Sequence, residues 1–114
     1  MKEYATENIR NVALVGHGGT GKTSLSEAML FNAKAINRLG RVDDGTTTSD
    51  FDPDEIRRSF SVNLSILPCE WQENKLNILD SPGYADFVGE VKCAVRAADS
   101  VLILICAYSN FVVY

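Results

Sequence analysis

Hydrophobic and polar positions along this chain change their period several times, and each change marks an element. Val12, Ala13, Leu14 and Val15 form an unbroken apolar run that stops at Gly16. Such a run, ended by glycine, predicts a short strand buried on both faces of a parallel sheet. From residue 22 to about 35, good helix formers carry apolar residues at Leu25, Ala28 and Met29, which is helical spacing. Between residues 39 and 59 the pattern dissolves. Gly40, Asp43, Asp44, Gly45, Thr46, Thr47, Thr48 and the acidic stretch from Asp50 to Pro53 predict a long polar loop, and loops of that length are usually functional or mobile. Val62, Leu64 and Ile66 then alternate with Asn63 and Ser65, the signature of a half-buried strand. After a polar turn at residues 72–75, Leu76, Ile78 and Leu79 resume the strand signal, so these two strands are expected to pair as an antiparallel hairpin. Phe87, Val91, Ala94, Val95 and Ala98 return to helical spacing, and residues 101–107 read as a second fully buried strand.

Strands alternating with helices predict an α/β fold, a mostly parallel sheet flanked by helices. The 114 residues suffice for one small domain, and no internal repeat interrupts them. Nothing follows the last strand to cover it, so the chain is expected to be the first part of a larger domain, incomplete at its C-terminus. Apolar residues make up 46% and charged ones 23%, the profile of a soluble globular protein. The net charge of −4, without a Lys/Arg block, gives no electrostatic support for direct nucleic-acid binding by this segment. Cys69, Cys93 and Cys106 fit neither a disulfide framework nor a zinc site and read as reduced core residues. The polar first ten residues do not form a signal peptide, and the run at 101–107 is too short to span a bilayer. A cytoplasmic location without membrane contact is expected.

Chemistry enters at residues 16–23. Gly16, His17, Gly18, Gly19, Thr20, Gly21, Lys22 and Thr23 satisfy the P-loop pattern G-x-x-x-x-G-K-[ST]. Glycines let the backbone wrap a phosphate with successive N–H groups turned inward, and the helix that follows adds its own unpaired N–H groups. Lys22 is suited to bridge the β- and γ-phosphates, the Thr23 hydroxyl to ligate Mg²⁺, and Ser24 continues the cradle. A strand before the loop and a helix after it are the context this motif requires. His17, the sole histidine, is read as a backbone contact to phosphate rather than a catalyst.

A second constellation, Asp80-Ser81-Pro82-Gly83, ends a strand at the sheet edge where ligands bind in parallel α/β folds. Alone it is a common turn. Behind a P-loop it reads as an aspartate that holds Mg²⁺ through water and a glycine N–H that senses the γ-phosphate. The polar loop then reads as a mobile switch segment, with Ser61, Thr46, Thr47 and Thr48 offering hydroxyls to the metal, whereas composition alone supports a solvated loop at least as well.

In order and spacing, these motifs resemble the N-terminal part of a translational GTPase of the elongation factor G type, within it the elongation factor G-like branch. The resemblance runs over residues 8–109 and rests on Ile9-Arg10-Asn11-Val12-Ala13-Leu14-Val15-Gly16-His17, the P-loop, Asp80-Ser81-Pro82-Gly83 and Asp86-Phe87-Val88-Gly89-Glu90-Val91. It implies a P-loop NTPase (G-domain) fold, GTP or GDP with Mg²⁺, and a ribosomal partner reached through a longer protein. The switch I threonine of this family, a Mg²⁺ ligand, falls on Ser61 within Arg58-Ser59-Phe60-Ser61. The histidine that usually follows the second motif and orients the attacking water falls on Tyr84. A phenol titrates near 10 and offers no ready base at neutral pH, so it positions water by hydrogen bonding if it acts at all. The resemblance implies that tyrosine is a trait of this branch. The guanine-reading motifs of the family are absent: Asn74-Lys75-Leu76-Asn77 lacks the aspartate that N-K-x-D requires. Residues 110–114 depart from the family pattern.

Three alternatives to a working GTPase follow. One is a nucleotide switch with little turnover, because Tyr84 replaces histidine. Another is an ATPase of the partition or septum-site type, whose P-loop carries a signature lysine where this chain has His17. The third is a self-associating segment whose last strand is uncovered.

Overall fold

The computed structural model describes residues 2–58 and 61–107. Its centre is strand β1 (Ile9–Val15), which starts three residues ahead of the apolar run. Strand β2 (Ser65–Trp71) and strand β3 (Asn74–Asp80) follow the long polar loop, and β4 (Ser100–Ile103) comes last. The sheet order is β2-β3-β1-β4. β1 runs parallel to both neighbours, pairing Val12 with Ile78 on one side and with Ser100 on the other. β2 and β3 form the expected antiparallel hairpin. Its turn is only Gln72 and Glu73, both with positive φ (47° and 65°), the left-handed pair that a tight two-residue hairpin turn needs.

Side-chain alternation along β1 and β3 divides the core in two. Leu14 and Ile78 face helix α1 (Lys22–Asn32) and pack with Leu30, Leu67 and Cys69. Ala13 and Leu79 face helix α3 (Val88–Ala97) and pack with Ala94. A central strand buried on both faces has no polar alternation, which is why the run at 12–15 was legible.

Several expectations need correction. α1 stops at Asn32 rather than near residue 35. Lys34 turns left-handed (φ 59°), and the Lys34 and Ala35 N–H groups return to the Phe31 and Leu30 carbonyls. That is a Schellman ending built without the usual glycine, so no sequence signal marked it. The buried face of α1 is also more polar than its apolar spacing suggested, with Ser26 and Glu27 buried beside Leu30.

The polar loop contains a short helix, α2 (Pro53–Arg58). Asp52 accepts a hydrogen bond from the Asp54 N–H at 2.9 Å, Pro53 takes the first helical position, and acids precede bases along the turn. β2 starts at Ser65, and its buried positions are Ser65, Leu67 and Cys69. Ile66, expected to point inward, is 64% exposed. The alternation was real but one residue out of phase, because residues 62–64 lie before the strand. β4 is shorter than expected and exposed at all four positions, since it forms the sheet edge among the described residues. Of the cysteines, Cys69 is buried, Cys106 half-buried and Cys93 exposed. Cys93 falls on the outer side of α3, whose buried residues are Val91 and Ala94. Residues 110–114, and the Ser59–Phe60 part of the switch motif, lie outside the described residues.

Candidate functional site

The P-loop leaves the end of β1 and closes onto the start of α1. Gly19 and Gly21 have φ of 83° and 95°, with no atom close enough to obstruct a side chain. Glycine is required at both by backbone conformation alone. Thr20 Oγ1 donates to the His17 carbonyl at 2.8 Å and tightens the turn. His17 Nδ1 sits 2.9 Å from the Gly18 carbonyl. Lys22 is buried, and its Nζ donates to the carbonyls of Gly16 (2.8 Å) and His17 (3.1 Å). Burial pushes its pKa down, and the charges of Asp80 and Asp50 partly oppose that. The ammonium therefore stands at the mouth of the loop, facing a cleft of about 280 Å³ lined by Gly18, Lys22, Thr23, Ser24, Gly83 and Tyr84, among others.

Beside the lysine, hydroxyls and carboxylates converge from four segments. Thr23 Oγ1 donates to Asp80 Oδ2 at 2.8 Å and lies 3.1 Å from Ser61 Oγ. Ser49 Oγ donates to the same Asp80 oxygen at 2.6 Å, and Ser61 Oγ to Asp50 Oδ1 at 2.6 Å. Asp80 and Asp50 are both buried, and Asp80 Oδ1 lacks any hydrogen-bond partner. Burial raises the Asp80 pKa, the Ser49 and Thr23 bonds lower it, and Asp50 raises it again while Lys22 lowers it. Glu55, likewise raised chiefly by burial and also by the neighbouring Asp50 carboxyl, accepts the Val62 N–H through Oε2 at 3.1 Å. Buried carboxylate oxygens without partners are costly unless a cation completes them. An all-oxygen set of hydroxyls and carboxylates is the chemistry that a hard ion such as Mg²⁺ takes. The residues present fit that ion.

Thr23, Ser61 and Asp80, the three metal candidates from the sequence, are thus brought together. The threonines of the loop are not. Thr46 Oγ1 turns to the Arg41 backbone, Thr48 Oγ1 bonds Glu27, and Thr47 Oγ1 is buried without a partner. Asp50 and Ser49 join the cluster unannounced. In a stretch crowded with acids, nothing in the sequence singles out the one that folds inward.

A model of the elongation factor Tu GTP-binding domain matches residues 7–112. The chain belongs to that family. The elongation factor Tu domain family is one of GTP-binding translation factors, and a guanine nucleotide is the ligand it implies; the match does not favour the ATPase alternative. The chain is 50% identical over 99 residues to an elongation factor G-like protein of Mycobacterium tuberculosis, covering 87% of this chain and 14% of that one. It is 37% identical over 101 residues to elongation factor G 2 of Treponema pallidum, covering 89% and 15%. A crystal structure of a Thermus thermophilus protein superposes with a TM-score of 0.87 at 44% identity, over 90% of this chain and 16% of that one. The P-loop NTPase fold is thereby shown. The chain spans about one seventh of the length of the curated relatives it matches. Among the described residues, no helix is long and apolar enough to cross a membrane.

Proposed function

We propose that residues 1–114 form the phosphate- and Mg²⁺-binding part of a GTP-binding domain, in a protein that hydrolyses GTP on the ribosome as an elongation factor G-like factor. The observation that carries the reading is the meeting of Thr23, Ser61 and Asp80 beside Lys22. It joins the P-loop, the switch loop and the end of β3 in one polar cluster. In this reading His17, Gly18, Gly19, Thr20, Gly21, Lys22, Thr23 and Ser24 cradle the phosphates. Asp80 and Gly83 report the γ-phosphate, and Thr23, Ser61 and Asp80 hold the metal. A bound Mg²⁺ neutralises phosphate charge there, and Lys22 adds a second fixed positive charge. Tyr84, half-covered beside Gly18, orients the attacking water by hydrogen bonding rather than as a base. The protein works in the cytoplasm.

Titration of the chain with Mg²⁺-GTP, Mg²⁺-ATP and Mg²⁺-triphosphate by calorimetry tests this. All three should bind with similar, weak affinity, because base recognition lies elsewhere, and Lys22→Ala should abolish all three. Unchanged affinity in Lys22→Ala would remove the site assignment. Turnover is a separate matter. Because a phenol is a poor base at neutral pH, a switch that hydrolyses little is the second reading, and single-turnover measurements with ribosomes separate the two.

The exposed apolar edge at Val101, Leu102, Ile103 and Ile105 leads us to expect that the 114-residue chain self-associates in isolation. Sedimentation velocity checks this, and a monomer at high micromolar concentration would count against it.

A further inference from the structure

Gly19 and Gly21 are glycines for the sake of φ; Gly18 is not. Its φ lies outside the left-handed region, so φ does not demand glycine there. What the position lacks is room. A Cβ placed there would stand 2.5 Å from Tyr84 Cζ, 2.6 Å from Cε2 and 2.9 Å from the phenol oxygen, inside van der Waals contact with all three. The ring and a side chain cannot occupy that space together.

The surroundings fix the ring from two further sides. His17 meets it edge-on, with centroids 5.7 Å apart and planes at 63°. The Gly18 N–H also donates to the Gly83 carbonyl at 3.0 Å, joining the P-loop to the turn that carries Tyr84. Gly83 is cramped in the same way, since a Cβ there would run into the Gly18 backbone and Lys22 Nζ. Two glycines thus let loop and turn meet backbone to backbone, and the next residue lays its ring on the first of them.

We propose that Gly18 is the positioning residue for Tyr84: its missing side chain is the seat of the phenol ring and sets where along the phosphate cradle the hydroxyl stands. Positions 18 and 84 then act as a pair. A larger residue at 18 requires a differently shaped one at 84. A phenol held by packing has less freedom to lose when the reacting groups align. The inference rests on the reading of Tyr84 as the residue that orients water, yet the seat itself is tested without that reading.

The experiment uses the full-length protein labelled with 3-fluorotyrosine, the Tyr84 ¹⁹F resonance being assigned with Tyr84→Phe. Gly18→Ala, Tyr84→Ala and the double variant form a cycle, with Gly19→Ala as control. In nucleotide-free Gly18→Ala the Tyr84 resonance should move while that of Tyr4 stays. Single-turnover GTP hydrolysis should slow by roughly a hundredfold, and adding Gly18→Ala to Tyr84→Ala should slow it no further. Gly19→Ala, strained through φ, should weaken nucleotide binding equally with or without Tyr84. A Tyr84 resonance unmoved by Gly18→Ala would overturn the proposal. So would an equal slowing by Gly18→Ala in the presence and absence of Tyr84. If Gly18→Ala does not fold, the double variant should fold, and its failure would overturn the seat as well. Should Tyr84→Ala hydrolyse at the parent rate, the reading of Tyr84 as a water-orienting group fails, while the resonance still decides the seat.

Discussion

Asp50 accepts from the Ser61 hydroxyl, and its carboxyl is buried within hydrogen-bonding reach of the Glu55 carboxyl. Around the proposed Mg²⁺ site it holds Ser61 and adds negative charge. Asp50→Ala should therefore raise the Mg²⁺ concentration needed for half-maximal nucleotide binding by roughly tenfold or more, while Asp50→Asn, which keeps an acceptor for Ser61, costs less. Nucleotide titrations at stepped Mg²⁺ measure it. Tyr4 shows the same logic at the far end of the sheet. Its phenol donates to Glu70, and that bond, with burial and the charge of Glu70 behind it, raises its pKa to about 12. The neutral phenol donates and the phenolate cannot, so the contact is whole below the ordinary tyrosine range near 10 and is lost as pH rises through about 12. Glu70→Gln should bring one tyrosine titration back towards its ordinary value, read by absorbance of the phenolate.

Between α1 and the switch loop, one buried acid does what apolar contacts do elsewhere. Glu27 accepts from the N–H groups of Gly40 (3.1 Å) and Thr48 (2.9 Å) and from the Thr48 hydroxyl (3.3 Å), tying both ends of residues 40–48 to the helix. Glu27→Ala strands two backbone donors and should cost about 3 kcal/mol, with faster amide exchange at Gly40 and Thr48 before the sheet opens. This element also shows where sequence reading stops. Continuous apolar runs announced β1, and fixed residue types announced the P-loop and the turn after Asp80, because backbone conformation and phosphate chemistry leave few substitutes. Polar burial has no such signature. Glu27, Ser49 and Asp50 look like loop-facing residues until tertiary partners are known. The same blindness shifted β2 by one residue, since alternation at 62–66 fits a strand in either phase. The left-handed Lys34 hid the end of α1 for a related reason: a residue other than glycine can end a helix when its neighbours supply the return bonds.

At the scale of the whole molecule, the functional cluster is where separate segments must agree. The end of β1 supplies the loop, α1 supplies Lys22 and Thr23, the switch segment supplies Ser49, Asp50 and Ser61, and β3 delivers Asp80. Hydrogen bonds among Thr23, Ser49, Asp50, Ser61 and Asp80 tie these segments together. Register carries a further consequence. β1 finds both its partners far ahead in the chain: Ile9 pairs with Lys75, and Asn11 is bonded by Asn77 across 66 residues. Among the described residues, only β2 and β3 are joined by a tight turn. During synthesis, then, the first strand made has nothing to pair with until the hairpin has emerged behind it, and non-local pairing of this kind is slow. The bond from the Gly18 N–H of the P-loop to the Gly83 carbonyl likewise waits on the turn after β3. An apolar run at 12–15 left waiting in the meantime is a natural stretch for a chaperone to hold.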